Sequence, residues 1–575
     1  MEILFLIIIT FAGYIIAYRT YGRFLAKKVF KLNNQALVPS REFTDGMDFV
    51  PTRKGIIFGH HYTSIAGTGP IVGPAIGIIW GWIPALVWVF VGSIVMGAVH
   101  DFGALVISLR NQGKSISEIT AKYIGPRVRY IFFLIVFFEL LIVIAIFGLV
   151  IALIFDKFPD AVFPVWMQIP IALILGRVIY KRGRGGNVNI STAVAVIAMY
   201  ATVILGHFIP FKLGAMAGIP ATGTWTILLL IYAFIASTLP VTTLLQPRDY
   251  INAWQIFIAM GLLVLGIIGA SVMGNLNIVA PAFQARPEGA PPIWPFLFIT
   301  IACGAISGFH SLVSSGTSSK QVEKESDALF VGYGSMLMES ALAVLVIIAV
   351  SAGIGIAYRT LDGELLSGVA AWKTHYASWQ ASSGLGSKID AVVTGAANMM
   401  ESIKIPIEFG IIIMGVFIAS FAGTTLDTAT RIQRYVVTEL SSDIKFKGLT
   451  NKYGATAFAV ITAAALAFAT GADGSGALKL WPMFGAVNQL LAALGLLVLT
   501  IYLKRKGGLK FLLSAFPCVF MIIMTLWSTF LNEMNYFARS NWLLTIINGI
   551  IILLALWMVV ESVIMLFASG RKKNS

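Results

Sequence analysis

The sequence predicts an all-α, polytopic membrane protein, and three observations support this fold class. Of its 575 residues, 58% are hydrophobic and only 12% are charged, about half the charged fraction that is usual for a soluble domain. The mean hydropathy is +0.86. The apolar residues also occur in long runs, many near or above the roughly 18 residues that let a helix cross the hydrocarbon core of a bilayer.

Reading the runs by length and flanking charge predicts about 15 membrane-spanning helices, within a range of roughly 14 to 18. They centre near residues 3–18, 64–80, 83–107, 130–154, 166–180, 189–208, 224–240, 252–273, 294–316, 328–357, 405–427, 454–470, 480–502, 509–531 and 541–568. Segments 64–80 and 294–316 are interrupted by glycines and polar residues. The first run lacks a positively charged start and a cleavage pattern, so it is expected to be a retained span.

The loops alternate in their content of Lys and Arg, which predicts the orientation. The basic segments are 19–60, 108–129, 177–184, 318–327, 431–452, 503–510 and the tail Arg571, Lys572 and Lys573. The segments poor in Lys and Arg are 155–165, 208–223, 274–293 and 532–540. The positive-inside rule then places the N-terminus outside and the C-terminus in the cytoplasm. The net charge of +15 is explained in this way, so no nucleic-acid partner is expected.

One long segment on the outer side, 358–404, does not have the composition of a span. Its residues Trp372, His375, Tyr376 and Trp379 have a spacing that would place them on one helix face. Two interpretations stay open: an interfacial helix anchored by aromatic residues, or an external lid over a solute pathway.

Several catalytic motifs are absent from the sequence. It contains no phosphate-binding G-x-x-x-x-G-K-[ST] loop, no H-E-x-x-H and no G-x-S-x-G. The two cysteines, Cys303 and Cys518, lie far apart in apolar segments, which disfavours a disulfide framework or a cysteine-based zinc site. We therefore predict no enzymatic activity, no metal centre and no cofactor, other than Na⁺ or H⁺ as a transported coupling ion.

The most informative stretch is FGHHYTSIAGTGPIVGPAIGIIWGW, residues 58–82. Its glycines recur every four residues and form a stripe that favours close helix packing: Gly69, Gly73, Gly77 and Gly81. The run Gly67, Thr68, Gly69 and Pro70 should interrupt the helix. An interrupted helix at membrane depth is tolerated only against protein or a wet cavity, and transporters bind solutes and ions at such breaks.

Polar residues precede this break on its cytoplasmic side. Ser64 lies one turn before it, and His60 and His61 stand at its mouth. A histidine at this place is either an interfacial polar residue or a proton-sensitive group of a transport pathway.

A second interrupted segment is CGAISGFHSLVSSGTSSK, residues 303–320. His310 lies within a predicted span, and Ser314, Ser315 and Thr317 follow it. Such hydroxyls often bond only to their own helix backbone, but their density here favours a cavity or an ion for some of them.

Two further motifs place charged residues at the inner ends of spans. In STLPVTTLLQPRDYIN, residues 237–252, Pro240 is expected to break a span, and Arg248 and Asp249 form a structural or gating ion pair. In SFAGTTLDTATRIQR, residues 420–434, Asp427 either caps a helix or takes part in coupling. Further ionisable residues within predicted spans are functional candidates because burial in lipid is costly: Asp101, Glu139 and Glu339.

Several of these motifs, in this order, resemble the carbon starvation protein CstA family over residues 50–500. They are GHHYTSIAGTGPIVGPA, HDFGALVISLR, LPVTTLLQPRDY, SSGTSSKQ, GTTLDTATR and LWPMFGAVNQLLAAL. The resemblance implies an uptake carrier of the bacterial or archaeal inner membrane, linked to carbon starvation, peptide import and pyruvate–proton symport. It also implies a LeuT-like core of inverted five-helix repeats, accompanied by accessory helices.

Applied to these spans, the implied core begins its first repeat at 64–80 and its second at 224–240, broken at Pro240 and running the opposite way. The segment 294–316 is then the third helix of the second repeat. By the same analogy, the carbonyls of Ala66 and Gly69 and the hydroxyl of Ser314, Ser315 or Thr317 form a cation site. We expect three regions: an N-terminal span and basic segment (1–60), a transport core (61–427) and accessory helices (428–575).

The function expected from this is import of a short peptide or pyruvate by cation- or proton-coupled alternating access. The sequence does not choose between the two substrates. A membrane sensor without transport activity and a channel are the alternatives from other classes. The oligomeric state and any bound lipid are not indicated.

Overall fold

The computed structural model describes residues 2–181, 188–360 and 362–568, and these residues are almost entirely helical. The predicted positive charges at Arg182, Arg184 and the tail 571–573 lie outside the described residues. In the first half of the chain the helices are α1 (Glu2–Ala17), α2 (Pro39–Glu42), α3 (Lys54–Ala66), α4 (Gly69–Gly77), α5 (Trp82–Gly92), α6 (Ala98–Leu109), α7 (Ile116–Tyr123), α8 (Pro126–Lys157), α9 (Val162–Lys181), α10 (Val188–Phe208), α11 (Ala221–Thr238) and α12 (Leu245–Val272).

The second half continues with further helices and one short hairpin. The elements are α13 (Ile293–Thr300), α14 (Gly308–Gly316), α15 (Ser335–Ser351), β1 (Tyr358–Arg359), β2 (Leu365–Leu366), α16 (Gly368–Tyr376), α17 (Trp379–Ser383), α18 (Leu385–Glu401), α19 (Ile407–Asp443), α20 (Lys452–Ala467), α21 (Trp481–Arg505), α22 (Leu512–Ala538) and α23 (Trp542–Ala568). Strands β1 and β2 pair antiparallel, with Tyr358 opposite Leu366.

Among the described residues, 12 helices are long and apolar enough to cross a membrane, or 13 if α3 and α4 count as one bent span. The polytopic all-α class is therefore confirmed, but the count of about 15 is not. Two predicted spans fall short of the criterion. Segment 294–316 consists of two short helices, and segment 454–470 contains only α20, which has 16 residues.

Burial separates the helices into an inner and an outer set. The most apolar window of α21 is 100% buried, and that of the span containing α15 is 94% buried. The corresponding windows of α10 and α23 are only 28% buried. Since apolar side chains face lipid without cost, the outer helices are those that a bilayer would cover, and α21 and α15 form part of the protein interior.

Two broken spans, α3–α4 and α13–α14, run in opposite directions against each other. A methyl group added to Gly69 would clash with Cys303, one at Gly73 with the carbonyl of Thr300, and one at Gly81 with the carbonyl of Ala282. From Gly69 to Gly81 the contacted position falls from 303 to 282, so the contact is antiparallel. This glycine stripe therefore permits the close approach that its spacing predicts.

The interruption predicted within segment 294–316 is confirmed, whereas the break predicted at Pro240 is wrong. Pro240 was expected to break segment 224–240, but α11 runs without interruption to Thr238 and Pro240 follows its end. A proline beyond the last turn removes no helical hydrogen bond, so it ends a helix rather than breaking one. The break lies instead between α13 and α14, at residues 301–307, where Gly304 has a φ of 88°.

Residues 358–404, called here the lid segment, fold into the hairpin and α16–α18. Trp372 and Tyr376 stack on each other on α16, with ring centroids 4.9 Å apart. Trp379 begins the separate helix α17, so the prediction that all four aromatic positions share one helix is wrong there. The Tyr376 hydroxyl donates to the carbonyl of Ala75, 2.7 Å away on α4, and this bond ties the lid segment to the first broken span.

The ends of the two broken spans lie on two opposite faces of the molecule. On one face, the loop that precedes α13 packs against the end of α4, where the Gln284 N–H donates to the Trp80 carbonyl. Trp379 of the lid segment also contacts Trp80, so we call this the lid face. On the opposite face, the strand-like segment before α3 pairs with the end of the second broken span, where Thr52 bridges Val322. We call this the basic face.

Candidate functional site

A cavity of about 630 Å³ lies between the break in α3–α4, helix α13 and helices α21 and α22. Its deep end is formed by Gly67, Thr68 and Gly69, and its outer end by Trp379 and Arg539 at the lid face. A volume of roughly 300–1,000 Å³ is typical of small-molecule sites. The break in the first span is therefore exposed to a compartment that can hold a small solute.

The break presents backbone polar groups to this cavity. Helix α3 ends at Ala66 and α4 begins at Gly69, so the negative end of one helix dipole and the positive end of another meet there. Gly67 has a φ of 48°, and a side chain at this position would also clash with Thr425. Only glycine satisfies both conditions, since it has no Cβ.

Hydroxyls of α19 face this break from the side. The Thr428 Oγ1 lies 3.2 Å from the Ser64 Oγ, and the Thr425 hydroxyl points to the Ser64 carbonyl at 3.5 Å. The sequence analysis assigned this role to α14 instead. In the described structure, α14 and α19 are both close to α3, and the hydrogen bonds to Ser64 come from α19.

The predicted partners of the Ala66 and Gly69 carbonyls make other bonds. The Ser315 hydroxyl donates to the Ser311 carbonyl at 2.7 Å, and Thr317 lies 3.4 Å from the His60 Nε2. The Ser314 hydroxyl has no hydrogen-bond partner among the described residues. The structure thus does not bring these three residues into hydrogen bonds with the break, and the predicted cation site stays a prediction.

The walls of the cavity are mostly apolar, with a few amides. Asn488 on α21 accepts a hydrogen bond from the Phe309 N–H at 2.9 Å and contacts the Ser307 hydroxyl at 3.0 Å. It therefore fixes the start of α14 beside the second break. Arg539 is the charged side chain among the described lining residues, none of which carries a carboxylate.

A buried ion-pair network closes the molecule between the cavity and the basic face. Arg248 donates to both Asp249, at 2.7 Å, and Asp427, with which it forms a close bidentate pair. Asp249 in turn lies 2.6 Å from the His60 Nδ1. The Tyr232 hydroxyl donates to Asp427 at 3.1 Å. We call these five residues the basic-face network.

The network joins four helices, of which α11 contributes Tyr232. His60 belongs to α3, Arg248 to α12 and Asp427 to α19, and all three side chains are buried. Thr317, after α14, also reaches His60. A buried charge is stable only when it is paired and hydrogen-bonded, so this arrangement holds the four segments together tightly on one side of the cavity.

His61, the residue after His60 on α3, has its Nδ1 2.7 Å from the Ser318 hydroxyl. A second set of ion pairs lies between the network and the basic face. Asp48, in the segment before α3, pairs with Arg431 at 3.4 Å and Arg434 at 3.2 Å. Burial alone would raise the pKa of Asp48, but these arginines and Lys320 outweigh it and lower the pKa to about 2. Asp48 is therefore ionised throughout the physiological range, and this clamp does not depend on pH there.

The sequence-predicted residues thus fall into three groups. Ala66, Gly67, Thr68 and Gly69 line the cavity. His60, Arg248, Asp249 and Asp427 meet in the basic-face network. Asp101 and His310 meet elsewhere, in a buried cluster beside the second break, with the carboxylate oxygen 2.8 Å from the His310 Nδ1.

Other predicted residues have different positions. Pro70 lies in the first turn of α4 and packs near Gly304 of the second break, and Pro240 lies beyond the end of α11. Glu139 is buried on α8, where neither carboxylate oxygen has a hydrogen-bond partner in the described chain.

Sequence reasoning assigned no site role to Thr425, Thr428, Asn488 or Arg539. The threonines were visible only as neighbours of Asp427, and Asn488 only as part of a resembling motif. Arg539 carried a weak signal, since it is a lone positive charge in a segment otherwise poor in Lys and Arg.

Two opposed broken helices around a solute-sized cavity, within a bundle of at least 12 apolar helices, define a polytopic membrane transporter. Within that class, the chain belongs to the carbon starvation protein CstA family, whose sequence profile matches residues 2–528. The family expected from the sequence motifs is thereby confirmed.

Curated relatives are named as transporters rather than enzymes. The chain is 33% identical to "Peptide transporter CstA" of Campylobacter jejuni, an alignment that covers 93% of this chain and 80% of the relative. It is 32% identical to "Pyruvate/proton symporter BtsT" of Escherichia coli, over 91% of this chain and 81% of the relative. Among solved structures, MhsT in complex with L-phenylalanine aligns with a TM-score of 0.47 and 13% identity, covering 88% of this chain and 98% of that one.

Proposed function

We propose that this protein imports a small carbon source across the bacterial inner membrane by coupled alternating access. The observation that carries the proposal is the position of the cavity, which reaches the break of α3–α4 from the lid face and stops at the basic-face network. A compartment open on one side and closed by breakable bonds on the other is what alternating access requires. A permanently open channel would need no such closure.

The lid face is the outer face in this proposal. The basic segments predicted to be cytoplasmic surround the other face, since Lys54, Arg110 and Lys320 lie there, and the positive-inside rule favours that side for the cytoplasm. The N-terminus is then outside and the C-terminus inside. The described conformation is accordingly open to the outside and closed to the cytoplasm.

The charge of the cavity favours a small carboxylate such as pyruvate over a short peptide. Arg539 supplies a positive group at the mouth, and the start of α4 supplies the positive end of a helix dipole at the floor. A zwitterionic peptide would need a carboxylate near its amino end, and the described lining has none. The volume would admit either solute, so the peptide is the second candidate substrate.

The coupling ion is proposed to be a proton or Na⁺. The break of α3, flanked by Ser64, Thr425 and Thr428, offers hydroxyl and carbonyl oxygens, which are the ligands that a hard cation prefers. The basic-face network contains a histidine and two carboxylates, which can exchange a proton when the network opens. Both alternatives place coupling next to the solute cavity.

Uptake into proteoliposomes tests the proposal. Labelled pyruvate and a labelled dipeptide are offered separately under imposed proton and sodium gradients. Saturable accumulation of one solute, driven by one gradient and abolished by an ionophore that collapses it, is the expected result. Folded protein that accumulates neither solute under either gradient would contradict the proposal and favour a sensor.

A further inference from the structure

A buried cluster of metal-type ligands lies beside the second break, apart from the basic-face network. Cys303 comes from the irregular segment between α13 and α14, His310 from α14, and Glu339 from α15. One ligand atom of each lies within 4.8 Å of the others, and all three side chains are buried. We call these three residues the His310 cluster.

Neighbouring residues hydrogen-bond to His310 and Glu339 and fix their orientation, as residues around a metal site do for its ligands. The Asp101 carboxylate faces the His310 Nδ1 at 2.8 Å, which leaves the Nε2 atom directed at Glu339. The other oxygen of Asp101 is 2.8 Å from the His100 Nδ1. The backbone N–H of Gly304 donates to the Glu339 Oε1 at 3.0 Å. A carboxylate behind a histidine is the usual support of a metal-bound imidazole.

Two atoms that point into the cluster have no hydrogen bond among the described residues and face each other at ion-pair distance. These are the His310 Nε2 and the Glu339 Oε2, which lie 3.3 Å apart on fully buried side chains. Most buried polar atoms in proteins have a hydrogen-bond partner, so two such atoms facing each other without one are candidates to share a proton or a cation. Both atoms present lone pairs to the same point when His310 donates from Nδ1 to Asp101.

We propose that the His310 cluster binds Zn²⁺ through the Cys303 thiolate, the His310 imidazole and the Glu339 carboxylate. Tetrahedral zinc has bonds of about 2.0–2.1 Å to nitrogen and about 2.0–2.2 Å to oxygen, which separates those two donor atoms by roughly 3.4 Å. The observed 3.3 Å between Nε2 and Oε2 meets this requirement. The count of cysteines in the sequence gave no hint, because only one ligand is a cysteine.

Charge and access also suit this ion. A thiolate and a carboxylate together neutralise Zn²⁺, so the site introduces no net charge into the interior. Three protein ligands leave a fourth position open, as in many zinc sites that bind water or a solute. Cys303 also lines the cavity, which gives the ion a route from the lid face. A bound ion would link the second break to α14 and α15 and hold this span in one arrangement.

Cobalt and zinc binding to the purified full-length protein tests the site without any transport measurement. Metal-stripped protein in detergent is titrated with Co²⁺, whose bond to a thiolate gives an intense near-ultraviolet charge-transfer band. Bound Zn²⁺ is counted by elemental analysis after desalting. We expect one Zn²⁺ per chain and a cobalt band that Zn²⁺ displaces.

Matched variants identify the ligands. Cys303→Ser should abolish the band and Glu339→Gln should weaken Co²⁺ affinity at least tenfold, whereas Cys518→Ser, the same change at the other buried cysteine, should leave both unchanged. Thermal unfolding of the metal-free variants verifies that each is folded. Folded wild-type protein without a band, or a band that survives Cys303→Ser, would overturn the proposal. Because binding is measured directly, this outcome is independent of whether the protein transports pyruvate or a peptide.

Discussion

The two ends of the solute pathway are built from different chemistry. Toward the basic face, the pathway is closed by buried ion pairs among Arg248, Asp249, Asp427 and His60. Toward the lid face, the cavity lining includes aromatic side chains such as Trp379, which packs against Trp80. In the proposed transport cycle, opening the first end requires separation of buried charges, whereas opening the second would require only a change of aromatic packing.

This difference indicates where conformational change is controlled. A buried ion pair is stable when it is formed, and removing one partner leaves an uncompensated buried charge at high cost. A ligand that rearranges such pairs therefore changes the conformational equilibrium by a large amount. Aromatic packing can shift in smaller steps. We therefore expect substitutions in the basic-face network to have the largest effects and substitutions in the lid segment the smallest.

The largest effect is expected from Asp427→Asn. The substitution removes the main partner of the buried Arg248, and removal of one member of a buried ion pair costs about 3–5 kcal/mol. Gradient-driven uptake should fall to background, and the melting temperature should drop. Tyr232→Phe, which removes a neutral hydroxyl bonded to Asp427 and Arg248 but leaves the charge pair in place, is the control and should retain uptake. Normal uptake by Asp427→Asn would show that the network does not control access.

The next effect concerns the break itself. Gly67→Ala introduces a side chain where φ is 48° and Thr425 is in contact, a strain of about 1–3 kcal/mol. Uptake should fall about tenfold or more. Gly423→Ala, on α19 with open space around it, provides the matched control. Equal effects of the two substitutions would contradict a special role for the break.

A smaller effect is expected at the mouth of the cavity. Arg539→Gln removes the positive charge that would attract a carboxylate, and because Arg539 is exposed this charge is worth about 1 kcal/mol. The KM for pyruvate uptake should rise about fivefold, less at high salt. Arg286→Gln, an exposed arginine of the lid face outside the cavity lining, should leave the KM unchanged. A KM unaffected by Arg539→Gln would remove the argument for a carboxylate substrate.

The bond between the lid segment and α4 should have a modest effect. Tyr376→Phe deletes the hydroxyl that donates to Ala75, a loss of about 0.5–1 kcal/mol. Hydrogen exchange in peptides from 368–401 should become about threefold faster. Tyr358→Phe, which loses a bond to Asp390 at the edge of the lid segment, should change exchange only near the hairpin. Unchanged exchange in Tyr376→Phe would mean that other contacts dock the lid segment.

The last prediction concerns stability rather than uptake and is a pH dependence of the lid segment. Lys388 is buried, donates to the His375 carbonyl at 2.7 Å and lies over the Tyr376 ring. Burial lowers its pKa to about 7, partly opposed by Asp390. The unfolded segment, with a lysine pKa of about 10.4, binds more protons between pH 7 and 10, so its stability should rise with pH over that window.

Lys388→Met tests this pH dependence. The difference in melting temperature between the wild type and this variant should increase from pH 7 to pH 9.5 and be constant below pH 7. A difference that does not change with pH would show that Lys388 keeps its proton in the folded lid segment.

Much of the fold could be predicted because the signals are local. Long apolar runs marked the spans, and Gly67 to Pro70 marked the first break, since such residues interrupt a helix wherever they occur. The glycines and polar residues of 294–316 likewise marked the second break. The break expected at Pro240 was wrong because a proline gives the same local signal at the end of a helix as within one.

The individual residues of the site could be predicted from the sequence better than the contacts between them. His60, Arg248, Asp249 and Asp427 were identified individually because ionisable residues in spans are costly. Their meeting in one network depends on contacts between residues up to 189 positions apart. The placement of Thr425 and Thr428 at the break likewise depends on packing of α19 against α3, across 361 positions. The residue pattern of a single sequence does not show which residues come into contact across such separations.

The central claim is that the cavity opens at the lid face and is closed toward the basic face by the Arg248–Asp427 pair. Thiol labelling tests it most directly, with Thr68→Cys at the cavity floor in a Cys303→Ser, Cys518→Ser background. Exposed reference positions, Ala285→Cys on the lid face and Lys447→Cys on the basic face, report which side an impermeant reagent reaches. The account predicts labelling of position 68 only from the side that labels position 285, with labelling from the other side appearing when Asp427→Asn is added. If position 68 is labelled from the side of position 447 while Asp427 is still present, the account is contradicted.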